Sequence, residues 1–195
     1  MTKKLAKERS ERLLKAAAKL FREKGFALTT VREIAAAAKI LPGSLHYRYP
    51  TKEAILVKLM DDALERATSV LRQAVGKAND PAERLKLAVK AHLELLLSGD
   101  DSIYILLYGW RSLGEAASGR IERLRTRYEA LWDSLLYEAV SAGCLSKNID
   151  LKLIKQMVLG ALNWVVEHSS GLTPDELTET FWMLLSGEVI RKSQS

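Results

Sequence analysis

The side chains best able to bind a metal or attack a substrate are His46, His92, His168 and the single cysteine, Cys144, and their spacing serves neither purpose. The histidines stand apart, no Cys/His pair has metal-ligand spacing, and no glycine-rich nucleotide loop occurs. Catalysis is not expected, and neither is a cofactor. Residues 30–52 offer another chemistry, the recognition of phosphates and base edges. Pro42-Gly43-Ser44 can open a short helix in which Gly43 lets the backbone approach DNA and Ser44 presents a small donor and acceptor. Tyr47, Lys52 and the free amides near Thr30 are placed for phosphate oxygens. Phosphate contacts supply grip, and base contacts supply choice.

Charge supports this reading. Residues 1–52 carry 13 Lys/Arg against 4 Asp/Glu, a net +9, while residues 53–195 carry 17 against 20, a net −3. A cationic segment on a slightly acidic body is the footprint of a chain whose one end meets a polyanion, although a solvated basic helix has the same charge count. One cysteine forms no intramolecular disulfide, which fits a reducing compartment. The N-terminal residues are too charged for a signal peptide, and no stretch reaches the roughly 20 apolar residues of a membrane span. A soluble, cytoplasmic protein with no membrane association is expected.

The elements that must position these residues read as helices. Leu13, Ala17, Leu20 and Phe21 recur at helical spacing, and Gly25 ends that first helix as a left-handed cap. Thr30-Val31-Arg32-Glu33 has the pattern of a capping box, which opens a second helix running to Ala38 and breaking near Lys39. Pro42 restarts a short third helix that lasts to about Tyr49. Thr51 caps a fourth, to about Gly76, beyond Pro50. Asp80-Pro81-Ala82-Glu83 and Thr173-Pro174-Asp175-Glu176 start the fifth and ninth. Between them lie a shorter region from Ile103 to Leu113, a long helix from about Ala116 to Ala142, and another from Asp150 to about His168. The fold class expected is all-α with about nine helices, divided into residues 1–52 and residues 53–195.

Two short helices joined by a tight turn suit a helix-turn-helix whose second helix lies in a major groove. Across residues 10–56 the chain resembles the TetR family. The family's ordered pattern stands here as Leu20, Phe21, Gly25, Phe26, Thr29, Thr30, Ile34, Ala35, Ala38, Gly43, Ser44, Leu45, Thr51, Lys52 and Glu53. The resemblance implies a three-helix DNA-binding domain followed by a larger helical bundle for ligand binding and dimerisation. It also implies phosphate contacts at Thr30, Tyr47 and Lys52, and base-reading positions at Pro42, Gly43, Ser44 and His46. Ring packing of His46 on the first helix is an equal alternative. Lys39 stands where the family has a turn glycine, Leu41 where it has a small cap, and His46 and Arg48 in its aromatic-rich stretch, so the operator should differ from those of better-known relatives.

Beyond residue 53 the resemblance guides less. Ile154, Met157, Val158, Ala161, Leu162 and Val165 cover much of the eighth helix's circumference, as in a helix buried on two sides, and Phe181, Leu184 and Leu185 form a second stripe on the ninth. By resemblance these last two helices make a homodimer interface. An effector pocket needs apolar walls and a few polar groups, and Tyr104, Tyr108, Trp110, Arg111, Tyr128, Asn163 and Trp164 are its candidate lining, with His92 and Trp132 supplied by the same set of helices. Core packing is the alternative for each aromatic. Asn163 is the most informative, because a buried amide must find hydrogen-bond partners. Arg120, Arg123 and Arg127 share a helix side, to be relieved by Glu115, Glu122 and Glu129 or by an anionic head group. The stretch Ala161-Leu162-Asn163-Trp164 is similar to sensor domains of TetR relatives that control fatty-acid or sterol breakdown and bind acyl-CoA thioesters. The expected function is therefore a repressor binding a palindromic, double-stranded operator as a dimer and released by a small-molecule effector such as an acyl-CoA or other lipid metabolite. The rivals are a non-specific architectural DNA binder and a regulator governed by a protein partner.

Overall fold

The computed structural model describes residues 2–148, 150–168 and 171–186, with side chains from residue 7 onward. The last stretch of the expected C-terminal domain, residues 187–195, lies outside the described residues. Those described form nine α-helices and no strand: α1 (Thr2–Lys24), α2 (Val31–Ala37), α3 (Pro42–Arg48), α4 (Lys52–Val75), α5 (Pro81–Leu96), α6 (Asp101–Tyr108), α7 (Glu115–Ser141), α8 (Leu151–His168) and α9 (Pro174–Ser186). A single 3₁₀ turn, Gly109–Ser112, follows α6. The expected starts recur in their chemistry. Asp80 accepts from the Glu83 amide, Thr173 and Glu176 exchange bonds as a second capping box, and the Thr51 hydroxyl accepts from the Ala54 amide.

Two compact units interleave along the chain, Met1–Glu65 with Asp100–Leu124, and Arg66–Gly99 with Arg125–Ser195. In the first, α1 packs on α2 and α6, and α2 packs on α3. Leu13, Ala17 and Phe21 of α1, Ile34 and Ala35 of α2, Leu45 of α3, Ile55 and Met60 of α4 and Ile103 of α6 form its buried core. Each buried Leu, Ile, Met or Phe side chain there contributes roughly 1.5–3 kcal/mol, and each alanine less. Arg22 bonds Asp101 at 2.9 Å and lies over the Tyr104 ring, which adds polar selectivity to the α1–α6 packing. Gly109 is small for a reason: a Cβ there would meet Ile105 Cγ2 at 3.1 Å and Leu56 Cδ1 at 3.3 Å.

In the second unit α5 packs against α8 and α9. Leu85, Val89 and Leu93 of α5, Trp132 and Leu136 of α7, and Val158 and Leu162 of α8 are fully buried. Lys86–Glu179 and Lys90–Asp175 bridge α5 to α9, and Lys155 of α8 reaches Asp133 and Glu129 of α7. Exposed pairs of this kind add at most about 1 kcal/mol each, so the apolar interior decides stability. No helix among the described residues is long and apolar enough to cross a membrane.

Candidate nucleic-acid interface and sensor cluster

The start of α2 is fixed by Thr30, whose extended backbone lets its hydroxyl accept from the Glu33 amide at 3.2 Å while the Glu33 carboxylate accepts from the Thr30 amide at 2.8 Å. Lys24 bonds the other Glu33 oxygen at 2.6 Å. These bonds, Lys24 first, hold the Glu33 carboxyl down at about 2. The Thr30 side chain is thus occupied within the fold.

α2 ends with Lys39 at φ 54, its amide bonding Ala36 O and the Ile40 amide bonding Ala35 O. That is a Schellman closure, with lysine where glycine is least strained. Leu41 then caps α3 without a side-chain hydrogen bond, and its side chain is 76% exposed. Pro42 at the first helical position compensates in part, because its ring pre-sets the backbone and it has no amide to satisfy.

α3 is held by Leu45 and by Tyr49 at its C-cap, both buried, while its other residues are exposed. Pro42, Gly43, Ser44, His46 and Tyr47 are all exposed, Tyr47 at 94%. A Cβ on Gly43 would meet nothing within 4 Å, so the backbone there is open to a close approach. Ser44, Tyr47 and Arg48 share a groove with Arg9, Arg12 and Lys15 of α1, which places three α1 cations beside the α3 surface. In the sequence Arg9, Arg12 and Lys15 register only as charge; their three-residue spacing was the available signal.

Lys52, expected at a phosphate, is engaged within the fold. Its ammonium donates to the carbonyl oxygens of Phe26, Ala27 and Thr29, the last two at 3.0 and 2.8 Å, and sits over the Phe26 ring. Thr29, buried, donates in turn to Gly25 O at 2.8 Å. The loop between α1 and α2 is thereby closed onto the first residue of α4.

The expected effector residues divide between the units. Tyr104, Tyr108, Trp110 and Arg111 belong to the first, where Tyr104 and Tyr108 pack with ring centroids 4.7 Å apart and Arg111 lies over Trp110. Tyr128, Asn163 and Trp164 belong to the second. Trp164 is 65% exposed and stacks on His168 at 4.0 Å. Tyr128 and Asn163 instead converge on His92, which accepts from the Tyr128 hydroxyl at Nδ1 and donates from Nε2 to Asn163 Oδ1 at 3.1 Å. Trp132, fully buried, meets the His92 ring edge-on at 5.7 Å. Burial pushes the His92 imidazole down to about 4, opposed by the Asn163 bond, and pushes the Tyr128 phenol up. At neutral pH the cluster is uncharged. His92 looked isolated in sequence because its partners lie 36 and 71 residues away.

The α8 face away from Val158 and Leu162 exposes Leu153, Met157, Gly160, Ala161 and Trp164, and α9 exposes Leu184. The apolar circumference expected for α8 is therefore buried on one side and open on the other within a single chain.

Comparison with known proteins matches both parts of the chain. Residues 13–59 match the family model described as bacterial regulatory proteins, tetR family, and residues 78–189 match that of the tetracyclin repressor-like C-terminal domain. The HTH-type transcriptional repressor KstR2 of Rhodococcus jostii (strain RHA1) is 30% identical over 148 residues, 74% of this chain and 72% of the relative. The crystal structure of superantigen PfiT is 31% identical at a TM-score of 0.79, covering 91% of this chain and 95% of that one. The fatty acid degradation regulator FadR from Bacillus halodurans is 26% identical at a TM-score of 0.79, covering 92% and 95%.

Proposed function

Because the chain belongs to the tetR family of bacterial regulatory proteins, we propose that residues 1–52 form its DNA-reading head and residues 53–195 its effector-binding and dimerising body. It is a ligand-responsive, DNA-binding transcriptional regulator, and repression is the reading its curated relative supports. One observation carries the DNA role: α3 is anchored by Leu45 and Tyr49 while Gly43, Ser44, His46 and Tyr47 are exposed beside the cations of α1. A helix so held presents base-reading groups without ordering cost, and the neighbouring Arg and Lys supply phosphate attraction. Pro42, Gly43, Ser44 and His46 read bases; Tyr47 and the free amides that follow Thr30 in the first turn of α2 hold phosphates.

The open stripe on α8, with Leu184 of α9, pairs with its symmetry mate in a two-fold four-helix contact. Gly160 and Ala161 permit close helix approach there. A dimer then meets two half-sites about 34–36 Å apart, or a multiple of that. DNA as the partner places the protein in the cytoplasm.

The effector is a lipid metabolite such as an acyl thioester. A relative named for fatty acid degradation and the largely apolar interior of the second unit support this class. A ligand that binds more tightly to the arrangement unfit for the operator lowers DNA affinity by linkage. Selection of genomic fragments with purified protein tests the reading. Recovery of one short palindrome with a two-fold footprint is the expected result; a broad, sequence-indifferent footprint would mark an architectural binder instead.

A further inference from the structure

We infer that the His92–Tyr128–Trp132–Asn163 cluster receives a neutral carbonyl oxygen of the effector, a ketone or thioester, and rejects a carboxylate. This deepens the lipid reading above and rests on it.

Hydrogen-bond bookkeeping within the cluster leads there. Tyr128 spends its one proton on His92 Nδ1, and His92 spends its own on Asn163 Oδ1. Two kinds of donor remain. The Trp132 indole N–H is buried and completes no hydrogen bond, although it approaches the Tyr128 hydroxyl. The Asn163 amide nitrogen has two protons and no protein partner among the described residues, and its residue is half-buried. An unmet buried donor costs its desolvation, so an acceptor that reaches this cluster recovers a penalty already present in the free protein. The cluster's outstanding need is for acceptors alone.

Charge decides which acceptor. Among the described residues, no cation bonds any of the four side chains. Lys90 on α5 is held by Asp175, Lys155 on α8 by Glu129 and Asp133, Arg125 on α7 by Glu129, and Arg127 is exposed. The imidazole is neutral at working pH, its ring buried between Tyr128 and Trp132. A carboxylate brought here would lose its hydration and find no countercharge, whereas a neutral carbonyl loses far less and gains a donor. His92 acts as a positioning residue: by engaging Asn163 Oδ1 it leaves the two amide protons for an acceptor.

The test is calorimetric titration of the full chain at pH 7.5 with 2-decanone, decanoate and decanoyl-CoA. The ketone and the acid share a chain length, so they isolate the head group. Binding of 2-decanone at least about tenfold tighter than decanoate is expected, the worth of one hydrogen bond gained without a buried charge. Trp132→Phe should narrow that ratio by weakening the ketone alone, about tenfold. For a readout independent of any variant, a ¹³C label in the decanoyl-CoA carbonyl should place its infrared stretch below its position in hydrocarbon solvent. Decanoate binding as tightly as the ketone, or a carbonyl stretch at the hydrocarbon position, would overturn the inference and leave the lipid reading standing. Failure of all three probes to bind would overturn both.

Discussion

Lys52 separates a grip on DNA from a grip on the fold. Replacing it with methionine keeps the stem and deletes three donated bonds, to Phe26 O, Ala27 O and Thr29 O. A dry, charge-assisted bond nets about 1.5–3 kcal/mol. The Ala27 carbonyl is exposed and rehydrates when the lysine is gone, and the other two are only partly buried. Taking about 1 kcal/mol for each of those two, with the lost Phe26 ring contact, gives a destabilisation of about 2–3 kcal/mol. Urea unfolding of the DNA-free protein should show it as a lower midpoint at unchanged slope. The salt dependence of operator binding should stay as in the wild type, because no phosphate contact is lost. Unchanged stability, with the log–log salt slope shallower by about 0.9 for each Lys52, would refute this and make Lys52 a phosphate ligand, as its place in the sequence pattern implied.

Three further outcomes follow from particular residues. Lys39→Gly should raise stability by about 1 kcal/mol in thermal unfolding, since φ 54 costs a side chain what glycine does not pay; an unchanged or lower midpoint would mean that the Lys39 stem packs usefully. The unfolded chain protonates His92 near 6.5 and the folded chain only near 4, so stability should fall by about 3 kcal/mol as pH drops through that window. Glu33, held at about 2, loses its contribution lower, between about 4.5 and 2; urea titrations at pH 7.5 and 4.5 should therefore differ less in His92→Gln than in the wild type, and equal differences would contradict the buried neutral imidazole. Tyr47→Ala should weaken binding to all DNA alike in anisotropy titrations, while Ser44→Ala should change the ranking of operator variants; the reverse pattern would exchange grip and readout.

The helices were legible because their starts carry local chemistry. Thr30 with Glu33, Asp80 with Glu83 and Thr173 with Glu176 each need only three residues of context, and Gly25 at φ 81 needs one. The exposed face of α3 was legible for the same reason, as a short segment whose exposed residues adjoin in sequence. The sensor was not. His92, Tyr128 and Asn163 come from three helices, and nothing in a linear pattern distinguishes a tyrosine that meets a buried imidazole from one that packs on arginine, as Tyr104 does. Asn163 was singled out by its unmet amide among apolar neighbours, and the partner it found is a histidine 71 residues away. Lys52 reads as a surface cation until its three carbonyl acceptors are seen, because backbone acceptors leave no mark on sequence.

Sequence-selective DNA binding through α3 is the central claim, and a competition titration tests it most directly. Fluorescence anisotropy with a selected operator and a scrambled duplex of the same composition should be run across a salt series. The operator is expected to bind on the order of 1,000-fold more tightly or better at physiological salt, with a preference that survives as salt rises while scrambled binding collapses. Equal affinities falling together with salt would contradict it, leaving a basic surface that holds DNA without reading it.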